Sequence, residues 1–106
     1  MSTNICIVYS TFSSTEQAEK IAKILLEKKL IACANILPAS KSIYMWQSKL
    51  EEAFEIIAIF KTTEDLYSKV EAEIKANHSY QTPCVLKIAV EDGSKEFLNW
   101  IEDCTK

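Results

Sequence analysis

The chain has 106 residues, 48% of them hydrophobic, which suits one folded domain and excludes a disordered polymer. Its 12 lysines and 15 acidic residues are interspersed at a net charge of −3, and there is no arginine, so neither a basic stripe nor a guanidinium fork for nucleic acid is present. No apolar run approaches the roughly 18 residues of a membrane span. Residues 1–4 lack the basic and apolar stretches of a secretory leader, and a cytoplasmic protein is expected.

Ile5-Cys6-Ile7-Val8-Tyr9 is an apolar, β-rich run of the length of a buried strand. Ser13 with Glu16 forms a capping box, and Ala18, Ile21, Ala22, Leu25 and Leu26 follow at helical spacing, with charged residues on the opposite side. Two long strands are predicted over residues 32–48 and 51–62, joined by a turn near Ser48-Lys49-Leu50. Pro38 falls within the first, which places it on a sheet edge or at a bulge. The second holds Ile56-Ile57-Ala58-Ile59-Phe60, apolar at successive positions. Both of its faces therefore need cover, and one helix layer covers only one, so self-association is expected, the alternative being a central strand covered on both faces within a monomer.

Thr62 and Asp65 read as a second capping box, opening a helix with Leu66, Val70 and Ile74 inward and an end near Asn77. A last strand runs over residues 84–90, Glu91-Asp92-Gly93 turns, and Ser94 caps a helix carrying Phe97, Leu98, Trp100 and Ile101. The fold class is α+β, a ferredoxin-like βαββαβ sandwich with a C-terminal helix, in a single domain over residues 1–106.

His78 is the only histidine and lies in a loop just past a helix end, where it serves either a ligand or the helix carbonyls. Cys6, Cys33, Cys84 and Cys104 are widely spaced without a C-x-x-C pair, so reduced thiols acting as small core hydrophobes are the default. A thiolate from Cys33 with the His78 imidazole is the one soft-metal pairing available, suited to copper, and further ligands must come from elsewhere. Lys61 closes an apolar strand, where its ammonium either faces an anion or reaches solvent. Tyr44, Trp46, Tyr80 and Trp100 supply aromatic surface for an interface or a ligand cleft, and Glu55 is the hairpin carboxylate expected to be constrained. A lone glycine, Gly93, excludes a phosphate-cradling loop, and no nucleophile elbow or metalloprotease helix is present, so nothing here demands an enzyme or a required cofactor.

Ala32-Cys33-Ala34-Asn35-Ile36, Ser42-Ile43-Tyr44-Met45-Trp46, Lys61-Thr62, His78 with Tyr80 and Pro83, and Phe97-Leu98-Asn99-Trp100-Ile101 together resemble the CutA family of divalent-cation tolerance proteins. That resemblance spans nearly the whole chain. It implies a homotrimer whose long strands pair across subunits, intersubunit clefts like those of PII signalling proteins, and a link to divalent cations, chiefly copper. Ser10 stands where some members carry a copper-binding cysteine, Ser79 where proline is usual, and Cys84 where glutamate is usual. The expected metal contacts are therefore His78, Cys33 and Cys84, with Lys61, Tyr44, Trp46, Tyr80 and Trp100 lining a cleft. The alternative is a PII-like sensor trimer holding a small anionic metabolite in that cleft, with Lys61 as counter-charge.

Overall fold

A computed structural model describes residues 3–106; Met1 and Ser2, part of the stretch assessed for a leader, lie outside the described residues. The elements are β1 (Ile5–Phe12), α1 (Thr15–Glu27), β2 (Cys33–Trp46), β3 (Lys49–Thr63), a 3-10 turn (Glu64–Leu66), α2 (Tyr67–Asn77), β4 (Val85–Ala89) and α3 (Lys95–Cys104). The strands form one sheet in the order β2-β3-β1-β4, and each neighbouring pair is antiparallel. This is the expected βαββαβ plan with an added helix. Among the described residues, no helix is long and apolar enough to cross a membrane.

Alternation along the strands divides the sheet into two faces. Val8, Phe12, Ala58 and Phe60 point to the helices and meet Ala18, Ile21, Leu25, Val70 and Ile74 in a sealed core. Phe12 and Phe60 sit edge to face there, with ring centroids 6.4 Å apart. On the opposite face, Ile7 pairs across the ladder with Lys61 and Ile88, and Tyr9 with Ile59 and Leu86. Among the described residues, that face has no helix layer over it except at one end, where Ile101 of α3 packs with Ile5 and Ala32. Leu86 and Ile88 accordingly remain 56% and 50% exposed.

Several boundaries differ from the sequence expectation for local reasons. β1 continues past Tyr9 because Ser10, Thr11 and Phe12 keep pairing with Ala58, Ile57 and Ile56. The buried Ser10 hydroxyl, awkward in such a strand, is satisfied by donating to the Cys84 carbonyl at 2.6 Å. The α1 cap is Ser14, which accepts from the Gln17 N–H, rather than Ser13, and Leu26 turns out to be exposed. Thr62 does not cap α2. It is buried in β3 and donates to the Leu30 carbonyl at 2.6 Å, so the chain turns one residue later, after Thr63.

Beyond the core, β2 and β3 project as a two-stranded arm. The register slips between Leu37 and Ser40, where β2 carries one residue more than β3, so Pro38 sits at a bulge on an edge strand as expected. The arm ends in a tight turn at Gln47 and Ser48, one residue earlier than predicted, with φ angles of 51° and 66°. Two positive φ values define the mirror-image turn that matches strand twist and favours Asn-Gly. Ser48→Gly should therefore raise stability by up to about 1 kcal/mol, read as a higher urea midpoint; a lowered midpoint would show that no strain is held there.

Candidate functional site

The bulge and the arm fix where the polar residues of β2 and β3 point. Past the slip, Ser40 pairs with Glu55 and Tyr44 with Glu51, so Tyr44, Trp46 and Glu55 share one side of the arm. The loop between α2 and β4 runs along that side. Between loop and arm lies an open cleft of about 480 Å³, walled by Tyr44, Trp46 and Tyr80 and floored by Glu55, Cys84 and Thr11, with Ser79, Gln81 and Thr82 at its rim. Among the described residues, Glu55 is its only charged side chain.

Tyr80 is the hinge of this arrangement. Its hydroxyl donates to Glu55 Oε2 at 2.8 Å, and its ring lies 4.7 Å from that of His78. Burial, and then the hydrogen bond to Glu55, push the phenol well above its ordinary ionisation range, so it stays a neutral donor. Cys84 is raised in the same sense, first by burial and then by the Glu55 charge, and its thiol is protonated at neutral pH.

His78 supports the cleft from behind instead of lining it. Its ring stacks on Phe12 at 4.8 Å and 16°. Nε2 lies 2.8 Å from the Thr11 carbonyl, which only accepts, so this nitrogen carries the proton. Nδ1 lies 3.1 Å from the Tyr80 N–H, which only donates, so this one carries the lone pair. The imidazole is thus the neutral Nε2–H tautomer, with both nitrogens engaged in orienting the loop.

The structure separates residues that the sequence reading grouped. Cys33 pairs with Lys61 on β3, whereas Thr11, the partner of His78, pairs with Ile57. Four strand residues divide those points, roughly 13 Å at about 3.3 Å per residue, so Cys33 and His78 cannot bind one ion within a single chain. Lys61 lies with Cys33 at the far end of the sheet. Its Nζ donates to Asn35 Oδ1 at 2.6 Å and stands 5.6 Å from the Phe97 ring, which stacks in turn on Trp100. Lys61 and Trp100 therefore form a second cluster, apart from Tyr44, Trp46 and Tyr80. Among the described residues, no three His, Cys, Asp or Glu side chains come together as a metal cage.

The site residues that sequence reasoning left out are Thr11, Glu55 as a cleft wall, Gln81 and Thr82. A carboxylate between Phe54 and Ile56 was the one available signal for Glu55; the others are ordinary loop or strand residues that only tertiary placement brings in.

Residues 6–104 match the family model described as CutA1 divalent ion tolerance protein. The chain is similar to the divalent-cation tolerance protein CutA of Archaeoglobus fulgidus, 51% identical over 96 residues covering 91% of this chain and 93% of that protein. It is 44% identical to the Pyrococcus horikoshii protein of the same name over 100 residues, covering 94% and 97% of the two chains. The crystal structure of the divalent ion tolerance protein CutA1 from Ehrlichia chaffeensis superposes with a TM-score of 0.93 at 40% identity, covering 100% of this chain and 98% of that one.

Proposed function

This chain belongs to the CutA1 divalent ion tolerance family, and from that membership we propose that it serves the response to divalent cations, copper among them, as a homotrimer that holds the metal only weakly. The observation that carries this reading is that Cys84, the one thiol on the cleft, shares its wall with the Glu55 carboxylate and with no third ligand of one chain. A single thiol and a nearby carboxylate make a transient contact for a soft cation, completed by water or by a neighbouring copy, and not a preformed cage. His78, whose nitrogens are occupied, holds Tyr80 and the loop in place for that contact. Assembly is supported by the apolar sheet face carrying Ile7, Ile59, Leu86 and Ile88, of which Leu86 and Ile88 are exposed and which no helix covers among the described residues except at one end.

The test is a copper titration of the assembled protein without oxygen, with bound metal counted by native mass spectrometry. Metal must displace the Cys84 proton, and that thiol ionises above the ordinary range, so affinity should rise with pH through neutrality and continue rising where a free thiol is already ionised. Cys84→Ser should weaken binding by about tenfold or more and flatten the pH dependence. Unchanged affinity in that variant would remove Cys84 from the contact.

A further inference from the structure

We propose that the cleft is completed by a second copy of this chain, whose Lys61 pairs with Glu55; this rests on the homotrimer reading above. Along β3, the residues on the open face are Glu55, Ile57, Ile59 and Lys61. That row carries a carboxylate at one end, an ammonium at the other and isoleucines between. Among the described residues, neither charge has an ion-pair partner. The two cannot meet within one chain, because their positions on the strand lie roughly 20 Å apart at about 3.3 Å per residue.

Each charge is only part-satisfied by its own chain. Glu55 Oε2 receives the Tyr80 hydroxyl, and among the described residues Oε1 receives no donor. Lys61 Nζ donates to the neutral Asn35 amide oxygen at 2.6 Å, which uses one of its three donors. Water serves the remainder while the face is open. Covering the face removes that water, and a charge covered without a partner is strongly destabilising. A ring of three copies closes through head-to-tail contacts, in which a patch meets a different patch of its neighbour. Such a contact lets the negative end of one row face the positive end of the next, and charge complementarity favours that register. Tyr44, Trp46 and Tyr80 stand at the Glu55 end, and Phe97 and Trp100 at the Lys61 end, so the ion pair is walled by aromatic rings from both copies. A cation at Cys84 then competes with this ammonium for Glu55, which keeps the metal contact weak.

The test follows assembly of the full chain by light scattering, at a urea concentration that leaves the parent half assembled, with circular dichroism reporting the fold. Glu55→Gln, which still accepts the Tyr80 hydroxyl, and Lys61→Gln should each raise the protein concentration needed for half assembly by about tenfold or more. The double variant should raise it no further than the more damaging single change. Two residues this far apart in one chain would otherwise lose independently. Glu55→Lys and Lys61→Glu should each dissociate the protein, and their combination should regain assembly. Additive losses together with no rescue, in a parent of three chains, overturn the pairing and leave the homotrimer standing. A parent that is monomeric at micromolar concentration without urea overturns the homotrimer, and the pairing with it.

Discussion

Leu86→Lys combined with Ile88→Lys is expected to leave the chain folded but unable to assemble. Both residues lie on β4, an edge strand, and both point to the face opposite α1 and α2. In an isolated chain they are already half in water, so lysine there costs the fold little. In an assembly that buries this face, two ammonium groups would lie among Ile7, Tyr9 and the other apolar residues of the face. Charges buried without a designed partner cost several kcal/mol each, about the scale of a whole interface. Lys87, between them, faces the other way and reaches Glu64 Oε1 at 2.8 Å, so its charge is tolerated. Light scattering should report a monomer while circular dichroism keeps its native shape. A variant that retained the parent's mass would show that this face is not where copies meet.

Phe12→Ala should be the most costly single truncation, at about 3–5 kcal/mol. Its ring is fully buried, meets Phe60 edge-on and carries the His78 imidazole on its face. Removal leaves a void in the helix-facing core and takes away the platform that fixes His78, so the loop carrying Tyr80 loosens with it. Phe54→Ala removes the same side chain from an arm position that is 72% exposed and should cost the single fold far less. Urea unfolding must be compared at one protein concentration, because the proposed assembly would add concentration-dependent stability. A loss below about 1 kcal/mol for Phe12→Ala would contradict the packing described.

The alternation that made Ile56-Ile57-Ala58-Ile59-Phe60 doubly apolar is borne out: Ala58 and Phe60 are in the core, and Ile57 and Ile59 are on the open face. That signal is readable because strand periodicity acts locally. The element order and Ser94, which caps α3, were legible for the same reason. Caps elsewhere slipped by one residue: Ser13 and Ser14 are equivalent in sequence, and only the chain path from Phe12 selects Ser14. Thr62 fits the capping pattern, with Asp65 three residues on, but burial gives its hydroxyl to Leu30, and Thr63, which heads the 3-10 turn instead, makes no side-chain cap bond.

The site was less legible than the fold. Tyr44, Trp46 and Tyr80 were identifiable as aromatics out of place in a simple core, and the structure gathers them around one cleft. Within one chain Lys61 and Trp100 stand apart from them, beside Asn35 and Phe97; the sequence does not show which end of the sheet the C-terminal helix packs against. Cys33 and His78 likewise stand apart within one chain, a separation that only the strand ladder reveals. The Glu55–Tyr80 pair spans 25 positions and depends on the bulge after Leu37, which Pro38 hints at without fixing which residues then face the loop.

The proposed assembly rests on the apolar face of the sheet, whose edge strand leaves Leu86 and Ile88 exposed. Light scattering on the unmodified protein at micromolar concentration measures that assembly directly. A mass three times that of the 12.0 kDa chain is the expected result. A stable 12.0 kDa monomer would mean that Ile7, Ile59, Leu86 and Ile88 stand in water, and the proposed homotrimer would have to be abandoned.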